Sequence, residues 1–304
     1  MDLDFEMTDC LVCGANDFET VSQKGQFGLP TNVVICKKCG FSYLNPRWTK
    51  ERYDKFYAVE YDRYYRPEVL TQNDENYRYE PVKKILARFN DRNIQLKLDH
   101  VLDIGCGMGH ALIYLRKNKF PAGSYDAIEP SENCKGYLLE NGINYLSNDV
   151  FSGWERSAAG KYDLIIMRHV LEHFHEPFDV LKKAQEALSD NGILFVAVPN
   201  SFYPTKPLRK HFFRVVHISY FSKVSLANLL RKAGLEIQEI VDGDKYEISE
   251  NFAICKKGKA VDFTPDAIQF DLQKKKYSEA GKNDWYYEIK SSVISGLRKI
   301  HLLK

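Results

Sequence analysis

A glycine-rich turn after a short apolar run carries the clearest chemical signal in this chain of 304 residues. Gly105, Gly107 and Gly109 follow the apolar residues 101–104, and a helical pattern comes next. Glycines at alternate positions let the backbone turn sharply and approach a ligand closely, and the start of a helix offers unpaired N–H groups. Glu129 lies 20 residues after Gly109, where a carboxylate can accept hydrogen bonds from both hydroxyls of a ribose. The spacing predicts a nucleoside-binding site.

Four cysteines form a second pattern near the N-terminus. They occur in two Cys-x-x-Cys-Gly knuckles separated by 22 residues, namely Cys10 with Cys13 and Cys36 with Cys39. Four thiolates at this spacing predict a closed tetrahedral zinc site that stabilises a small module. A closed site has no open position for a substrate, so the zinc is expected to be structural. Two redox-active pairs are the alternative, but no thioredoxin-like βαβ pattern surrounds either one.

The elements that must position these residues alternate between strands and helices. This alternation indicates a doubly wound, Rossmann-like α/β sheet with helices on both faces. Buried strands are predicted at 162–167 and 193–198, with a turn at Asn191 and Gly192 before the second. Strands at 235–241 and 252–255 are expected to form an antiparallel pair. The predicted units are a zinc-ribbon module (1–45), an aromatic helical connector or lid (46–81), the α/β domain (82–256) and a basic amphipathic C-terminal tail (257–304).

The composition excludes several classes of protein. The formal net charge is +2, so no global basic field indicates a nucleic-acid partner. No run of 18 apolar residues predicts a spanning helix, and the acidic N-terminus lacks a signal-peptide core. Four of the seven cysteines are spaced for a metal, which fits a reducing compartment. We therefore expect a cytoplasmic protein, with contact at the inner face of the membrane as an alternative.

The motif Asp103-x-Gly105-x-Gly107-x-Gly109 with the later Glu129 resembles motif I and the acidic loop of class I S-adenosylmethionine (SAM) methyltransferases. A dinucleotide is less favoured, since the third glycine of a NAD-type site follows the second by three residues. The resemblance covers about residues 82–256 and implies SAM as the methyl donor. It also implies that Asp149 takes the adenine amino group, unless Asp149 is only a turn or N-cap residue. The expected donor-binding residues are Asp103, Gly105, Cys106, Gly107, Gly109, Glu129, Asp149 and Arg168.

Together with the two cysteine knuckles and the aromatic connector, the chain resembles a narrower group, the zinc-ribbon methyltransferases of deoxysugar and surface-polysaccharide pathways. The sugar C-methyltransferases among them carry a further large C-terminal domain, whereas about 50 residues follow the α/β fold here. The resemblance therefore implies O-methylation of a sugar, nucleotide sugar or glycan, with C-methylation as an alternative. In this setting the connector is either a packed linker or a lid that brings Tyr61, Tyr64 or Tyr65 near the substrate.

Methyl transfer to a hydroxyl requires a base, and histidine is the natural one near neutral pH. Four histidines lie in loops that leave predicted strand ends: His169, His173, His211 and His217. We predict His217 as the base, with His169 second and His173 as a further candidate that alternatively packs structurally.

The string His169-x-x-Glu172-His173 matches an inverted zinc-protease motif. Here, however, it directly follows a predicted parallel strand of the SAM-binding sheet, and this context argues against a protease. The string is similar to the Glu-x-x-Glu-His of ubiquinone-pathway O-methyltransferases, which implies a divalent metal there. His169 replaces the first glutamate of that motif. The sequence therefore leaves it undecided whether Mg²⁺ or Mn²⁺ binds here.

The loop of residues 201–217 is basic and aromatic and leaves the carboxyl end of a strand. Its cations suit a phosphate-bearing acceptor, although a merely solvated loop is the alternative. Residues 256–304 hold 11 Lys or Arg and 6 Asp or Glu residues. In this tail, apolar side chains recur at helical spacing: Trp285, Tyr286, Ile289, Val293, Leu297 and Ile300. We expect the tail to dock on its own domain or on a second copy, with membrane-surface contact as the minority interpretation.

Two other functions stay open from the sequence. Methylation of rRNA is one, since some rRNA methyltransferases carry a zinc module. The near-neutral charge and the lack of an Asn/Asp-Pro-Pro-Tyr-type motif for a flipped base argue against RNA, and DNA is not expected as a partner. A non-enzymatic SAM-binding scaffold that serves a partner through its tail is the other.

Overall fold

The computed structural model describes residues 4–65, 75–119, 123–152 and 159–282. The strands are β1 (Phe5–Glu6), β2 (Phe18–Lys24), β3 (Pro30–Cys36), β4 (Ser42–Leu44), β5 (Arg47–Trp48), β6 (His100–Ile104), β7 (Ser124–Ile128), β8 (Asn144–Ser147), β9 (Tyr162–Arg168), β10 (Leu188–Pro199), β11 (Ser219–Tyr220), β12 (Leu235–Asp242) and β13 (Glu250–Lys257). The helices are α1 (Lys50–Lys55), α2 (Tyr61–Tyr65), α3 (Glu75–Asp91), α4 (His110–Asn118), α5 (Glu132–Glu140), α6 (Pro177–Ala187) and α7 (Lys223–Lys232). A C-terminal helix spans residues 268–282.

A seven-stranded sheet in the order β12-β13-β10-β9-β6-β7-β8 organises the molecule. The five strands from β10 to β8 are parallel, and β13 lies antiparallel to both β10 and β12. Along β9, Leu164 and Ile166 pack with α3 to α5, whereas Ile165 and Met167 pack with α6 and α7. A continuous apolar run is required because the strand is covered on both faces. The predicted Rossmann-like α/β fold and the antiparallel pair are confirmed.

Two predicted boundaries were wrong. The predicted turn at Asn191 and Gly192 lies within β10, where the pairing with β9 is irregular between Leu188 and Ile193. This irregularity absorbs the turn residues without ending the strand. The amphipathic pattern of residues 82–89 predicts a helix there, but α3 begins earlier, at Glu75, and contains Pro81. A proline removes its own N–H donor, but packing farther along the helix can keep it continuous.

The N-terminal module shares its sheet with the rest of the chain. Strands β2, β3 and β4 form an antiparallel sheet, and β11 adds to the edge of β4 through Ser219 and Tyr220. Since β11 directly follows the basic loop, the sheet crosses the predicted boundary at residue 45. That boundary stays a prediction, but the module and the loop are joined structurally.

The C-terminal helix docks on this junction. Gln273 is 0% exposed, and its side chain accepts a hydrogen bond from Ser201 Oγ and donates one to the Ser201 carbonyl. Tyr277 packs against Phe213 of the basic loop. This part of the tail therefore lies on its own chain, and the apolar residues from Trp285 onward lie outside the described residues. Among the helices that the structure describes, none is long and apolar enough to cross a membrane.

Candidate active site

A cavity of about 400 Å³ opens at the carboxyl ends of β6, β7 and β9. Its wall combines the glycine turn, the segments that follow β7, β8 and β9, and the aromatic connector. The wall residues whose side chains or backbone could take part in chemistry or binding are Gly105, Glu129, Asp149, His169, His173, Tyr53, Tyr57 and Tyr61. Open α/β sheets bind their ligands at this edge, which makes the cavity the candidate active site.

The glycine turn depends on the absence of side chains. Gly105, Gly107 and Gly109 all have positive φ angles, of 73°, 57° and 66°. A Cβ atom on Gly105 would lie 2.4 Å from Val170, and one on Gly109 would lie 2.3 Å from Leu138. The turn is therefore held between the segment after β9 and helix α5, and it leads directly into α4.

Glu129 is fixed on the cavity wall by backbone donors. Its carboxylate is 3% exposed and accepts hydrogen bonds from the N–H groups of Gly107 at 2.7 Å and Ser131 at 3.1 Å. A carboxylate can accept about four hydrogen bonds, so it can bind ligand hydroxyls while these backbone donors stay in place. Burial, and then the charge of Glu129, raise the pKa of Asp103 to about 8. Burial beside Glu129 therefore favours the neutral form of Asp103.

The other residues expected at the donor site have different positions. Asp149 lies on the cavity wall, and its Oδ1 also accepts the N–H of Phe151 at 2.8 Å, so it is a turn residue as well. Cys106 is partly exposed, and its thiol lies 3.4 Å from the Gly107 carbonyl. The guanidinium of Arg168 pairs with Glu250 at 3.1 Å instead of lying on the described wall. Donor binding by these residues stays a prediction.

His169 lies on the wall directly after β9. Its ring is 37% exposed, and its Nε2 lies 2.7 Å from the buried carboxylate of Glu250. Burial of the ring lowers the pKa of His169, while the hydrogen bond with Glu250 acts in the opposite direction. The imidazole is therefore neutral near pH 7, which a proton acceptor requires. The contact of Val170 with Gly105 places His169 beside the glycine turn.

His173 connects the wall to the connector and to a buried cluster. Its Nδ1 lies 3.0 Å from the hydroxyl of Tyr57, and its ring contacts that of His217 edge to face at 4.8 Å. His217 is 7% exposed and is absent from the described cavity wall, so its predicted role as the base has no direct geometric support. Burial lowers its pKa well below the usual value, and the nearby His173 adds to this.

Glu172, His173 and His217 offer ligand atoms within 4.8 Å of one another. Glu172 is buried, and neither of its carboxylate oxygens has a hydrogen-bond partner among the described residues. Burial raises its pKa to about 8. One carboxylate with two imidazoles differs from the oxygen-rich sets that Mg²⁺ prefers. The cluster therefore does not favour Mg²⁺, and it leaves out His169 of the sequence motif, so a Mg²⁺ or Mn²⁺ site stays a prediction.

In the basic loop, Phe212 and Phe213 are buried, whereas Tyr203 and several of the cations are exposed. His211 is exposed beside Lys206, Lys210 and Arg214. Burial, and then these three charges, lower the pKa of His211. The guanidinium of Arg214 lies 5.7 Å from the ring of Tyr65 in the connector.

The four cysteines converge as the knuckle spacing predicts. Sγ atoms of Cys10 and Cys39, and of Cys13 and Cys36, are each 3.6 Å apart. A tetrahedral zinc with Zn–S bonds of about 2.3 Å would separate its sulfurs by roughly 3.8 Å, so the cluster fits that ion. The knuckles are equivalent, because the glycine N–H donates to the carbonyl of the first cysteine at 2.8 Å in one and 2.9 Å in the other. No other cysteine among the described residues belongs to the cluster.

Sequence reasoning missed Glu250 and the contact between Tyr57 and His173. One signal for Glu250 was available, since this acidic residue lies just before the apolar residues 252–255 of its strand. The partner of Tyr57 lies 116 residues away, and no local pattern indicates it.

The sequence profile of a family described as a methyltransferase domain matches residues 74–240. The ubiquinone biosynthesis O-methyltransferase of Rickettsia canadensis is 30% identical over 123 residues, which are 39% of this chain and 49% of that protein. The C-methyltransferase NovU of Streptomyces niveus is 21% identical over 260 residues, which are 78% of this chain and 58% of that protein. This chain thus spans about half the length of these relatives.

Among solved structures, an S-adenosylmethionine-dependent methyltransferase from Clostridium acetobutylicum aligns with a TM-score of 0.45 at 14% identity. The alignment covers 68% of this chain and 99% of that protein.

Proposed function

Since this chain belongs to the methyltransferase family and is a SAM-dependent enzyme of the class I type, we propose that it methylates a hydroxyl of a sugar, nucleotide sugar or glycan. The observation that carries the proposal is the composition of one cavity wall. Gly105, Glu129 and Asp149, here called the donor wall, line the same space as His169, His173, Tyr57 and Tyr61, here called the acceptor wall. One cavity can therefore hold a methyl donor beside an acceptor and a base.

The donor wall recognises the nucleoside end of SAM, which supplies an electrophilic sulfonium methyl group when bound. Glu129 accepts the ribose hydroxyls, and Asp149 faces the adenine. Both carboxylates are held by backbone N–H groups, so little reorganisation is needed on binding. The turn at Gly105 brings backbone close to the donor without a Cβ in the way.

The acceptor wall supplies the base, and we assign this role to His169. Its imidazole is exposed to the cavity, its lowered pKa keeps it neutral, and it adjoins the glycine turn. It removes the hydroxyl proton as the oxygen attacks the methyl group in line. His217 contacts His173 behind the wall, where it supports that ring.

The rings of Tyr57 and Tyr61 give the acceptor wall flat apolar faces with hydroxyl edges, which suit a polar ring such as a sugar. Cations of the basic loop favour a phosphate on the acceptor. Contact with a second copy of the chain or with a membrane surface stays an expectation from the sequence, which argues against an RNA partner.

A second candidate reaction is C-methylation of a sugar. It is favoured by the match to the Streptomyces C-methyltransferase, which spans 260 residues and so extends beyond the 74–240 methyltransferase region. In that case His169 would remove a proton from carbon rather than oxygen. The two reactions are separated by the chemical shift of the transferred methyl group.

For the N-terminal module, we infer one structural zinc ion held by Cys10, Cys13, Cys36 and Cys39. The sulfur separations fit a tetrahedral ion, and the four-thiolate set is closed. The ion would stabilise the sheet that β11 joins, directly beside His217 and Ile218.

The proposed function is tested by a screen of nucleotide sugars and glycan acceptors with methyl-labelled SAM. We expect label on one acceptor hydroxyl, and labelling at least about 100-fold slower with His169→Ala. Transfer to an RNA and to no sugar, or turnover by the His169→Ala enzyme at the normal rate, would contradict the proposal.

A further inference from the structure

A buried carboxylate stands directly behind the acceptor wall. Glu250, the first residue of β13, is 0% exposed. One of its oxygens lies 2.7 Å from Nε2 of His169 and 3.1 Å from Arg168, and the other lies 2.6 Å from Arg88. Arg88 is itself buried and is shared with Asp244 on its other edge. Each oxygen of the carboxylate thus has at least one cationic or N–H partner among the described residues.

We propose that Glu250 is a positioning residue that fixes the tautomer and orientation of His169 for methyl transfer. An ionised carboxylate only accepts hydrogen bonds, so the neutral ring must carry its proton on Nε2. The lone pair then resides on Nδ1, which makes no hydrogen bond with the described residues and can accept the substrate proton. Carboxylates orient catalytic histidines in this way in Ser-His-Asp triads. This inference rests on the proposed function, in which His169 is the base.

The backbone of His169 supports the same conclusion. Its φ angle is 53°, in the left-handed region that residues with a Cβ avoid. The conformation is held by the hydrogen bond from its N–H to the Ala197 carbonyl at 2.8 Å. Strained residues of this kind concentrate at functional sites. The strand end and the Glu250 contact therefore fix the backbone and the ring of His169 independently.

Several charges act on this histidine. Burial lowers its pKa, and the positive charge of Arg168 lowers it further. The hydrogen bond to Glu250 and the negative charges of Glu250 and Glu247 oppose these effects. Neutralising Glu250 should therefore make His169 a weaker base, and a glutamine amide could donate to Nε2 and move the ring proton to Nδ1.

The test compares Glu250→Gln with Asp244→Asn in the full-length protein. Both substitutions neutralise a partner of Arg88, but only the first removes the contact with His169. The measurements are the ¹⁵N chemical shifts of the His169 ring, the pH dependence of kcat, and binding of S-adenosylhomocysteine by calorimetry. We expect Glu250→Gln to change the ring tautomer, to shift the acid limb of the kcat profile downward and to lower kcat by about 100-fold. Asp244→Asn should change none of these, and both should bind S-adenosylhomocysteine.

If Glu250→Gln leaves the tautomer and kcat like those of Asp244→Asn, Glu250 only neutralises arginines and the inference is wrong. If the tautomer changes but neither Glu250→Gln nor His169→Ala lowers kcat, positioning holds and His169 is not the base. If Glu250→Gln misfolds and no longer binds S-adenosylhomocysteine, Glu250→Asp is the second variant. It keeps the negative charge but moves the carboxylate away from His169 by the length of one methylene. A normal kcat and tautomer for Glu250→Asp at wild-type stability would then also count against the positioning role.

Discussion

The donor wall and the acceptor wall of the cavity are built from contacts of different range. On the donor wall, Glu129 is held by Gly107 and Ser131, and Asp149 is held by Phe151 two residues later. On the acceptor wall, Tyr57 reaches His173 across 116 residues, and His169 reaches Glu250 across 81. The donor-wall contacts thus join residues 2 to 22 positions apart, whereas the acceptor wall exists only when segments 81 and 116 positions apart have packed. Substitutions in the segments of the acceptor wall can therefore change acceptor specificity without disturbing donor binding.

The largest effect is predicted for a substitution that disrupts the acceptor wall and leaves donor binding intact. Cys36→Ser should abolish zinc binding and destabilise the module, because structural zinc sites contribute folding energy directly. Since β11 joins the module to the segment after the basic loop, turnover should be lost while S-adenosylhomocysteine still binds. Metal analysis, thermal unfolding and calorimetry measure the three outcomes.

Cys106→Ser is the matched control for this experiment, because Cys106 lies outside the cysteine cluster. It should retain one zinc per chain. A wild-type protein that is folded but metal-free would refute the zinc site, and equal loss of donor binding in Cys36→Ser would show that the two walls are not independent.

The next effect concerns the base. His169→Ala should lower kcat by about 10²–10⁴-fold and leave S-adenosylhomocysteine affinity unchanged, since the base acts on the acceptor. In the wild type, kcat should fall as the pH drops through the lowered pKa of His169, because only the neutral ring accepts a proton. The acid limb is therefore expected below the ordinary histidine value of about 6.5.

His217→Ala supplies the comparison, since His217 is the base predicted from the sequence and lies behind His173. We expect it to lower turnover less than His169→Ala does. The opposite order would return the role of base to His217 and show that the cavity wall changes when the acceptor binds.

A third prediction tests the donor wall alone. Glu129→Ala removes the charge-assisted hydrogen bonds to the ribose, which costs about 1.5–3 kcal/mol, or roughly 10- to 150-fold in affinity for S-adenosylhomocysteine. The acceptor KM should be unaffected, because the backbone donors that hold this carboxylate belong to the glycine turn and to the segment after β7. Calorimetry that finds unchanged affinity would show that Glu129 does not bind the ribose.

The smallest effect is expected within the acceptor wall. Tyr57→Phe removes the hydroxyl next to His173 Nδ1 and retains the ring, so the loss is that of one hydrogen bond, about 0.5–1.5 kcal/mol or roughly two- to tenfold in kcat/KM. Tyr53→Phe is the control, since its hydroxyl bonds a backbone carbonyl instead of a histidine. Equal effects of both variants on kcat/KM would mean that the contact with His173 has no specific role.

The difference in range also explains how much of the molecule could be predicted from the sequence. Gly105, Glu129 and the two cysteine knuckles are recognisable because each chemical unit lies within one turn or at a fixed spacing. The sheet was predictable because strands covered on both faces must be continuously apolar. Glu250 and Tyr57 act through partners that only tertiary packing brings near, and the burial of His217 behind His173 depends on the same packing.

The basic loop begins and ends at one place on the scaffold. The N–H of Ser201 donates to the carbonyl of Phe221 at 3.1 Å, and Gln273 and Asn251 hold these two residues from either side. The loop ends are therefore closed by the fold and not by the loop itself. For a flexible loop with fixed ends, doubling the length costs only about 0.6 kcal/mol of closure entropy. Within the loop, Tyr203, Thr205 and Lys206 are exposed, so insertions at residues 203–206 should be tolerated thermodynamically. The part that follows is packed through Phe213 and His217 and should not tolerate a change in length. The exposed turn is therefore where relatives of different length could acquire different acceptors.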